Sequence, residues 1–284
     1  MFGKTSIQKV VIDNFSSLKL SIVVPPLILL FGLFCFFVIV DHDDLTINYY
    51  VNFQKDLFLF LNKHLSKFNH LEYNLTQLGD ALIAFPLLTI FIIYAPKLWE
   101  ALITSALLSI IISAVLKRLF AVPRPAAMFD NDSFVIIGKT LTGKSSLPSG
   151  HSIATFILIT SVLFAFMPQK RKNRIMWSVV VVAAGLFIAF TRVGVGAHYP
   201  FDVLIGSTIG FITTTIGIKI CSTYNWLQGI GNKKFYPVHL VLLIIWIALL
   251  INKIMEDNLV IYYISILALL VTLSLIIRSY VKKN

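Results

Sequence analysis

Charge is what this sequence has least of. Asp, Glu, Lys and Arg make up 13% of its 284 residues, against about 25% in a typical soluble domain, and mean hydropathy is +0.85. That excludes an ordinary soluble globular fold. Acids are the scarcer sign, with 13 Asp and Glu against 24 Lys and Arg and a net charge of +11. In a soluble chain this excess would suggest nucleic acid. Here the basic residues fall in loops between apolar stretches, so they read as topology markers, and no nucleic-acid partner is expected. There are two cysteines, Cys35 and Cys221, both in apolar runs, which excludes a disulfide framework. No Cys, His or carboxylate set has metal-ligand spacing, so no metal and no cofactor are expected. The first apolar run lacks a small-residue cleavage site and is closed by Asp41-His42-Asp43-Asp44. It reads as an uncleaved span rather than a signal peptide, and the acidic run as a charged stop rather than a divalent-ion site.

Long hydrophobic runs are abundant. Spans are predicted near 20–40, 75–94, 100–118, 149–167, 175–191, 201–221, 236–252 and 258–277, each close to the ~20 residues that cross a bilayer as helix. The expected fold is an all-α polytopic membrane bundle of about eight spans. It divides into an N-terminal segment at 1–19, a six-helix core at 20–221, and an appended transmembrane hairpin and tail at 222–284. Residues 41–74 are expected to form an outer interfacial segment. Leu57, Leu61, Leu65 and Phe68 recur there at helical spacing, with Lys55, Asp56, Lys63 and Lys67 between them. That pattern fits a helix in the membrane interface, or equally a loop helix packed on the bundle.

Loop charge sets the orientation. Lys170, Arg171, Lys172 and Arg174 fill one short loop, and the side they share with both termini holds only Asp13 and Glu100 as acids. Lys/Arg-rich short loops stay inside, so both termini are expected in the cytoplasm of a multi-pass cell-membrane protein. Parity then puts four helix ends at one outer boundary: the end of the third span, the start of the fourth, the end of the fifth and the start of the sixth.

Three polar clusters meet that boundary: KRLFAVPRP from Lys117, PSGH from Pro148, and RVGVGAHYPFD from Arg192. Ionisable residues at membrane depth are costly and usually functional. The clusters supply three cations (Lys117, Arg124, Arg192), two imidazoles (His151, His198) and one carboxylate (Asp202). Ser149 stands at a helix start, where free backbone N–H groups suit an oxyanion. The set fits phosphoryl transfer. Arginine forks and a lysine can grip phosphate oxygens. One histidine can attack phosphorus, a carboxylate can orient it, and a second histidine can protonate the leaving oxygen. Four-residue spacing keeps His198 and Asp202 within one helical turn. Singly, each residue has a plainer reading: Asp202 as an acid in a first helical turn, His151 as an interfacial polar group, Arg192 as a snorkelling anchor.

The order K-x6-R-P, then P-S-G-H, then R-x5-H-x3-D resembles the type-2 phosphatidic acid phosphatase superfamily over roughly the first 221 residues. The resemblance implies a six-helix phosphatase core and a metal-independent membrane lipid phosphatase. It implies His198 as nucleophile through a phosphohistidine, Asp202 as its orienting group, and His151 as acid and then base. Lys117, Arg124 and Arg192, with Ser149 and the Gly150 backbone, would bind phosphate. The third motif usually begins Ser-Arg, whereas here it is Thr191-Arg192. The stretch GVGAHYPFDVL, Gly194–Leu204, looks like bacterial members of that family, and loop charge with span parity puts the expected site on the periplasmic or outer face of the cytoplasmic membrane. Lipid phosphates such as undecaprenyl diphosphate, phosphatidic acid, phosphatidylglycerophosphate and lipid A are candidate substrates. A phosphotransferase between lipids and an anion or lipid transporter with a basic vestibule are the alternatives.

Gly138–Ser145 matches the P-loop pattern G-x-x-x-x-G-K-[ST]. The pattern needs a helix directly after it, but Pro148 intervenes, so no nucleotide partner is expected. Loop 119–148 is expected to cover the site, with Phe129, Phe134, Lys139 and Lys144 available to a headgroup. Asp80 is a further candidate at the outer start of the second span.

Overall fold

The computed structural model describes residues 4–39 and 47–281, so Asp41-His42-Asp43-Asp44 lies outside the described residues. Those residues form helices and turns with no strand. Helix α1 (Lys4–Ser16) is followed by α2 (Val24–Ile39), α3 (Ile47–Phe53), α4 (Lys55–Leu65), α5 (Asn69–Thr76), α6 (Ala81–Ala84) and α7 (Phe91–Tyr94). Then come α8 (Pro96–Phe120), α9 (Pro125–Met128), α10 (Gly150–Ala165), α11 (Arg171–Gly194), α12 (Pro200–Tyr224), α13 (Tyr236–Glu256) and α14 (Val260–Val281). Six of the described helical stretches are long and apolar enough to cross a membrane. The protein is a multi-pass membrane protein.

The 16-residue α10 is shorter but central, lying along α12 and against α8 and α11. Side chains such as Phe31, Val179, Ile244 and Leu267 stay exposed on outward faces. That is ordinary where lipid is the solvent, because tails are as apolar as leucine.

Two features depart from the expected organisation. The predicted continuous span at 75–94 is a string of short turns: the end of α5, a 3₁₀ turn at Gln77–Gly79, α6, another 3₁₀ turn at Phe85–Leu88, and α7. Asp80 is extended (φ −94°, ψ 121°) and its side chain accepts from Leu82 N–H, so it restarts the helix. Pro86 then removes a backbone donor. The apolar run has the length of a span, but these residues break its ladder. Seven helices and one broken segment thus stand where eight spans were expected.

The second departure is the face of α4. Phe58, Asn62 and Ser66 are buried, while Leu57 and Phe68 are exposed. Asn62 decides the rotation. Its Nδ2 donates to the carbonyls of Val135, Val193 and Gly194 at 2.9–3.0 Å, and its Oδ1 accepts from Val135 N–H at 2.8 Å. Burial of that side chain with its hydrogen bonds complete outweighs the leucine stripe.

At the opposite end of the bundle the N-terminal segment folds as α1. Val11 and Phe15 are fully buried, and Asn14 Nδ2 donates to the carbonyls of Ala165 and Met167 at 3.0 and 3.2 Å. The hairpin α13–α14 packs on the broken segment rather than on the α8–α10–α12 core.

Candidate active site

Three chain reversals build the site. After α8 the backbone turns through Ala121, a left-handed cap (φ 44°), and returns as a strap over residues 121–149. Arg124 N–H donates to Gly143 O and Ser146 N–H to Val122 O, which ties the strap to itself. At its end, Ser149 caps α10 by accepting from Ser152 N–H, and its own N–H donates to Asp202 O at 3.1 Å. After α11 the chain bends at Gly196 (φ 76°), where a Cβ would lie 2.7 Å from Val135 O. Only glycine suits that position, and the bend delivers His198.

His198 is therefore not on α12, as the four-residue spacing suggested. It precedes the helix, and the loop brings its ring to the first helical turn. Nδ1 lies 3.4 Å from Asp202 Oδ2 and 3.4 Å from Ser146 Oγ. Nε2 lies 3.2 Å from Arg124 Nη1, whose other acceptor is Ala197 O at 3.1 Å. Asp202 is fully buried and accepts three further hydrogen bonds: Tyr50 OH at 2.7 Å, Ser146 Oγ at 2.5 Å and Tyr199 N–H at 3.0 Å. Burial, and then the cations Arg124, Arg192 and Lys117, hold the His198 imidazole well below its usual 6.5. A neutral ring follows, with the Nε2 lone pair facing the guanidinium.

The remaining candidates ring the same space. Lys117 Nζ lies 3.4 Å from where a Gly150 Cβ would stand, which places the ammonium over the start of α10. The N–H groups of Gly150 and His151 are at helix positions without intrahelical partners. His151, Lys117, Arg124, Arg192 and His198 lie within electrostatic reach of one another. Arg192 is 8% exposed; its Nη1 donates to Thr76 Oγ1 at 2.8 Å. Its Nε is buried and meets no acceptor among the described residues. A buried guanidinium donor without a partner calls for one, and a tetrahedral oxyanion would supply it. The Ser149 hydroxyl, in contrast, is engaged with Ser152 N–H and Ser152 Oγ.

Sequence reasoning missed Tyr50, Gln54, Asn62, Thr76 and Ser146. All are neutral and polar, and all but Ser146 lie far along the chain from the motifs. Gln54 accepts from Phe201 N–H at 3.0 Å and donates to Tyr50 O at 3.0 Å, so it sets the tyrosine against α12. Ser146 stood three residues before Ser149 and could have been tested as a partner for the His–Asp pair. Gly138–Ser145 is irregular and leads into more loop rather than a helix. Among the described residues, no group of three or more His, Cys, Asp or Glu side chains could hold a metal ion.

Residues 97–226 match the family model described as the PAP2 superfamily. This part of the chain belongs to the PAP2 superfamily. The matched residues hold Lys117, Arg124, His151, Arg192, His198 and Asp202, whereas Tyr50 lies outside them. An undecaprenyl-diphosphatase from Sulfolobus acidocaldarius is 26% identical over 176 residues, which is 61% of this chain and 81% of that protein. A lipid A 1-phosphatase from Rhizobium etli is 31% identical over 123 residues, 42% of this chain and 48% of that protein. The match thus spans about half the length of the lipid A 1-phosphatase. The crystal structure of Aquifex aeolicus LpxE is similar with a TM-score of 0.49 and 24% identity, over 59% of this chain and 95% of that one. As a PAP2 phosphatase the chain is a phosphoric ester hydrolase.

Proposed function

We propose that this PAP2 protein hydrolyses a phosphate or diphosphate ester of a lipid through a phosphohistidine on His198. The setting of that imidazole carries the reading. With Nδ1 toward Asp202 and Ser146, the ring proton belongs on Nδ1, and Nε2 keeps its lone pair for phosphorus. Arg124, which donates to Nε2, would transfer that donor to an incoming phosphate oxygen. The Nε2 lone pair then forms the N–P bond while the P–O bond to the lipid breaks, and His151 gives its proton to the leaving oxygen. Water next attacks phosphorus and yields a proton to His151 as the N–P bond breaks. Asp202 stabilises the imidazolium that forms. Lys117, Arg124, Arg192 and the Gly150 N–H hold the non-bridging oxygens. Ser149 acts by capping the helix that presents that N–H.

A groove of about 650 Å³ supports a lipid substrate. It runs between α2, α8 and α12 along Leu30, Phe34, Ile112, Leu116 and Ile209, and reaches Tyr50, Val122 and Leu147 beside the site. Its volume is in the range of small-molecule pockets, and its lining suits hydrocarbon. The basic loop at 170–174 favours cytoplasmic termini and a site on the periplasmic or outer face. Residues 20–221 then form the catalytic unit, and 222–284 an addition to it. The named substrates of the relatives, an undecaprenyl diphosphate and lipid A, share this chemistry of a phosphoryl group on a lipid.

The test is release of free phosphate by purified protein from undecaprenyl diphosphate, lipid A, phosphatidic acid and phosphatidylglycerophosphate. Release from at least one lipid is expected. Appearance of a phosphorylated lipid acceptor instead would mean phosphotransfer, and no chemistry on any substrate would favour a transporter.

A further inference from the structure

Helices α13 and α14 lie beyond the matched residues and supply none of the site's ionisable groups. They do hold the broken segment that forms one wall of the site. On its inner side, residues 76–79 touch the machinery directly. Thr76 Oγ1 accepts from Arg192 Nη1 at 2.8 Å, and the Gly79 backbone lies so close to His151 that a Cβ there would fall 2.6 Å from His151 Cβ. On the outer side, the same stretch is fastened to the hairpin at five points. Tyr73 OH donates to Asp257 Oδ2 at 2.9 Å, and Ile261 N–H donates to Asn74 Oδ1 at 3.1 Å. Trp246 Nε1 donates to Leu82 O at 2.7 Å, and Ser265 Oγ to Ile83 O at 2.8 Å. Thr89 Oγ1 and Thr272 Oγ1 share a hydrogen bond at 2.8 Å.

The pairing follows from the break in the helix. Irregular backbone at membrane depth is tolerated only where other protein satisfies its polar groups. Two of the carbonyls in the broken stretch are met by hairpin side chains. The latch residues Tyr73 and Asn74 are three and two residues before Thr76, within one turn of α5. A displacement of α5 there moves the hydroxyl that orients Arg192.

We propose that the α13–α14 hairpin positions the active site, holding Thr76 against Arg192 and Gly79 against His151 through its latch on residues 73–89. Asn74, Asp257 and Ser265 are positioning residues, and none of them touches substrate. The inference rests on the phosphatase reading for the meaning of the Arg192 grip, but its test does not need turnover.

The experiment measures vanadate binding by calorimetry, together with kcat and KM for lipid, in the full-length protein. Asn74→Ala and Asp257→Ala should weaken vanadate binding and lower kcat by about tenfold, the scale of a small misplacement of a catalytic group, with KM nearly unchanged. Asn74→Asp and Asp257→Asn keep the acceptor oxygens and should restore both. Val241→Ala, on the outward face of α13, should match the parent. Combining Asn74→Ala with Thr76→Ala should cost no more than the worse single change, because both act through Arg192. Parent-like vanadate binding in the alanine variants would overturn the proposal. So would additive losses in the double variant, or losses that the conservative variants fail to restore. A variant that loses the fold altogether would likewise count against a positioning role if its conservative partner also loses vanadate binding. A parent that binds vanadate but releases no phosphate would instead overturn the phosphatase reading.

Discussion

The two ends of the α8–α12 pair each bury charge, and they treat it in opposite ways. At one end Lys97 donates to Glu100 Oε2 at 2.7 Å, to Asn225 Oδ1 and to Cys221 O, while Glu100 Oε1 accepts from Leu227 N–H at 3.2 Å. That cluster is closed, with cation matched to anion and each head group supplied with partners. At the other end Lys117, Arg124 and Arg192 outnumber the carboxylates in reach, Asp202 and Asp80, and Asp202 is already occupied by Tyr50, Ser146 and Tyr199. A buried arginine nitrogen there has no protein acceptor among the described residues. The same helices therefore carry a closed ion cluster at one end and, at the other, the excess of cations that the proposed phosphate site requires. Burial and charge alone do not distinguish them, whereas the balance of signs does.

The largest effect that would sharpen this contrast is at the proposed nucleophile. His198→Ala should lower phosphate release at least about 1000-fold, as loss of a nucleophile does in comparable triads, with insertion and folding preserved by circular dichroism. Arg192→Lys keeps the charge but loses the fork, and kcat should fall about 100-fold. At the closed end the pattern should reverse. Lys97→Met leaves Glu100 buried without its partner and should cost about 3 kcal/mol or more of stability in thermal unfolding, while kcat per folded molecule holds. Equal loss of kcat from Lys97→Met would break the comparison.

A smaller effect is expected from Tyr50→Phe, which removes one of the donors to Asp202 and should lower kcat about tenfold. The pH dependence is milder still. Because burial and neighbouring cations depress the His198 imidazole, the acid limb of phosphate release should lie below pH 6.5. Glu72 supplies a separate slope. The residue is 4% exposed, its Oε2 has no partner among the described residues, and burial raises its pKa from 4.5 to about 7. The native state thus keeps a proton that the unfolded chain has released. This stability is full below pH 4.5 and is lost as pH rises through about 7. Glu72→Gln should flatten that slope in thermal melts taken across the range.

The convergence of the candidate site was legible before any fold was known. Six ionisable residues in apolar surroundings are conspicuous, and span parity alone put them at one boundary. The neutral partners were not legible. Tyr50 and Thr76 reach Asp202 and Arg192 across more than a hundred residues of chain, and nothing local marks them. The segment at 75–94 misled for a physical reason. Hydropathy counts apolar side chains, but continuity of a helix depends on backbone donors, and Asp80 and Pro86 interrupt those. The rotation of α4 was hidden in the same way, because one well-bonded asparagine outweighed a regular leucine pattern. The N-terminal helix carries too little hydrophobicity to stand out, and it forms because Val11, Asn14 and Phe15 find partners on the bundle.

The proposed reaction depends on one bond between histidine and phosphorus. Rapid acid-free quenching during turnover, followed by mass spectrometry of peptides around residue 198, tests it directly. The expected result is an acid-labile phosphoryl group on His198, absent in His198→Ala. Steady phosphate release by His198→Ala at the parent rate, with no phosphorylated peptide in either protein, would contradict it.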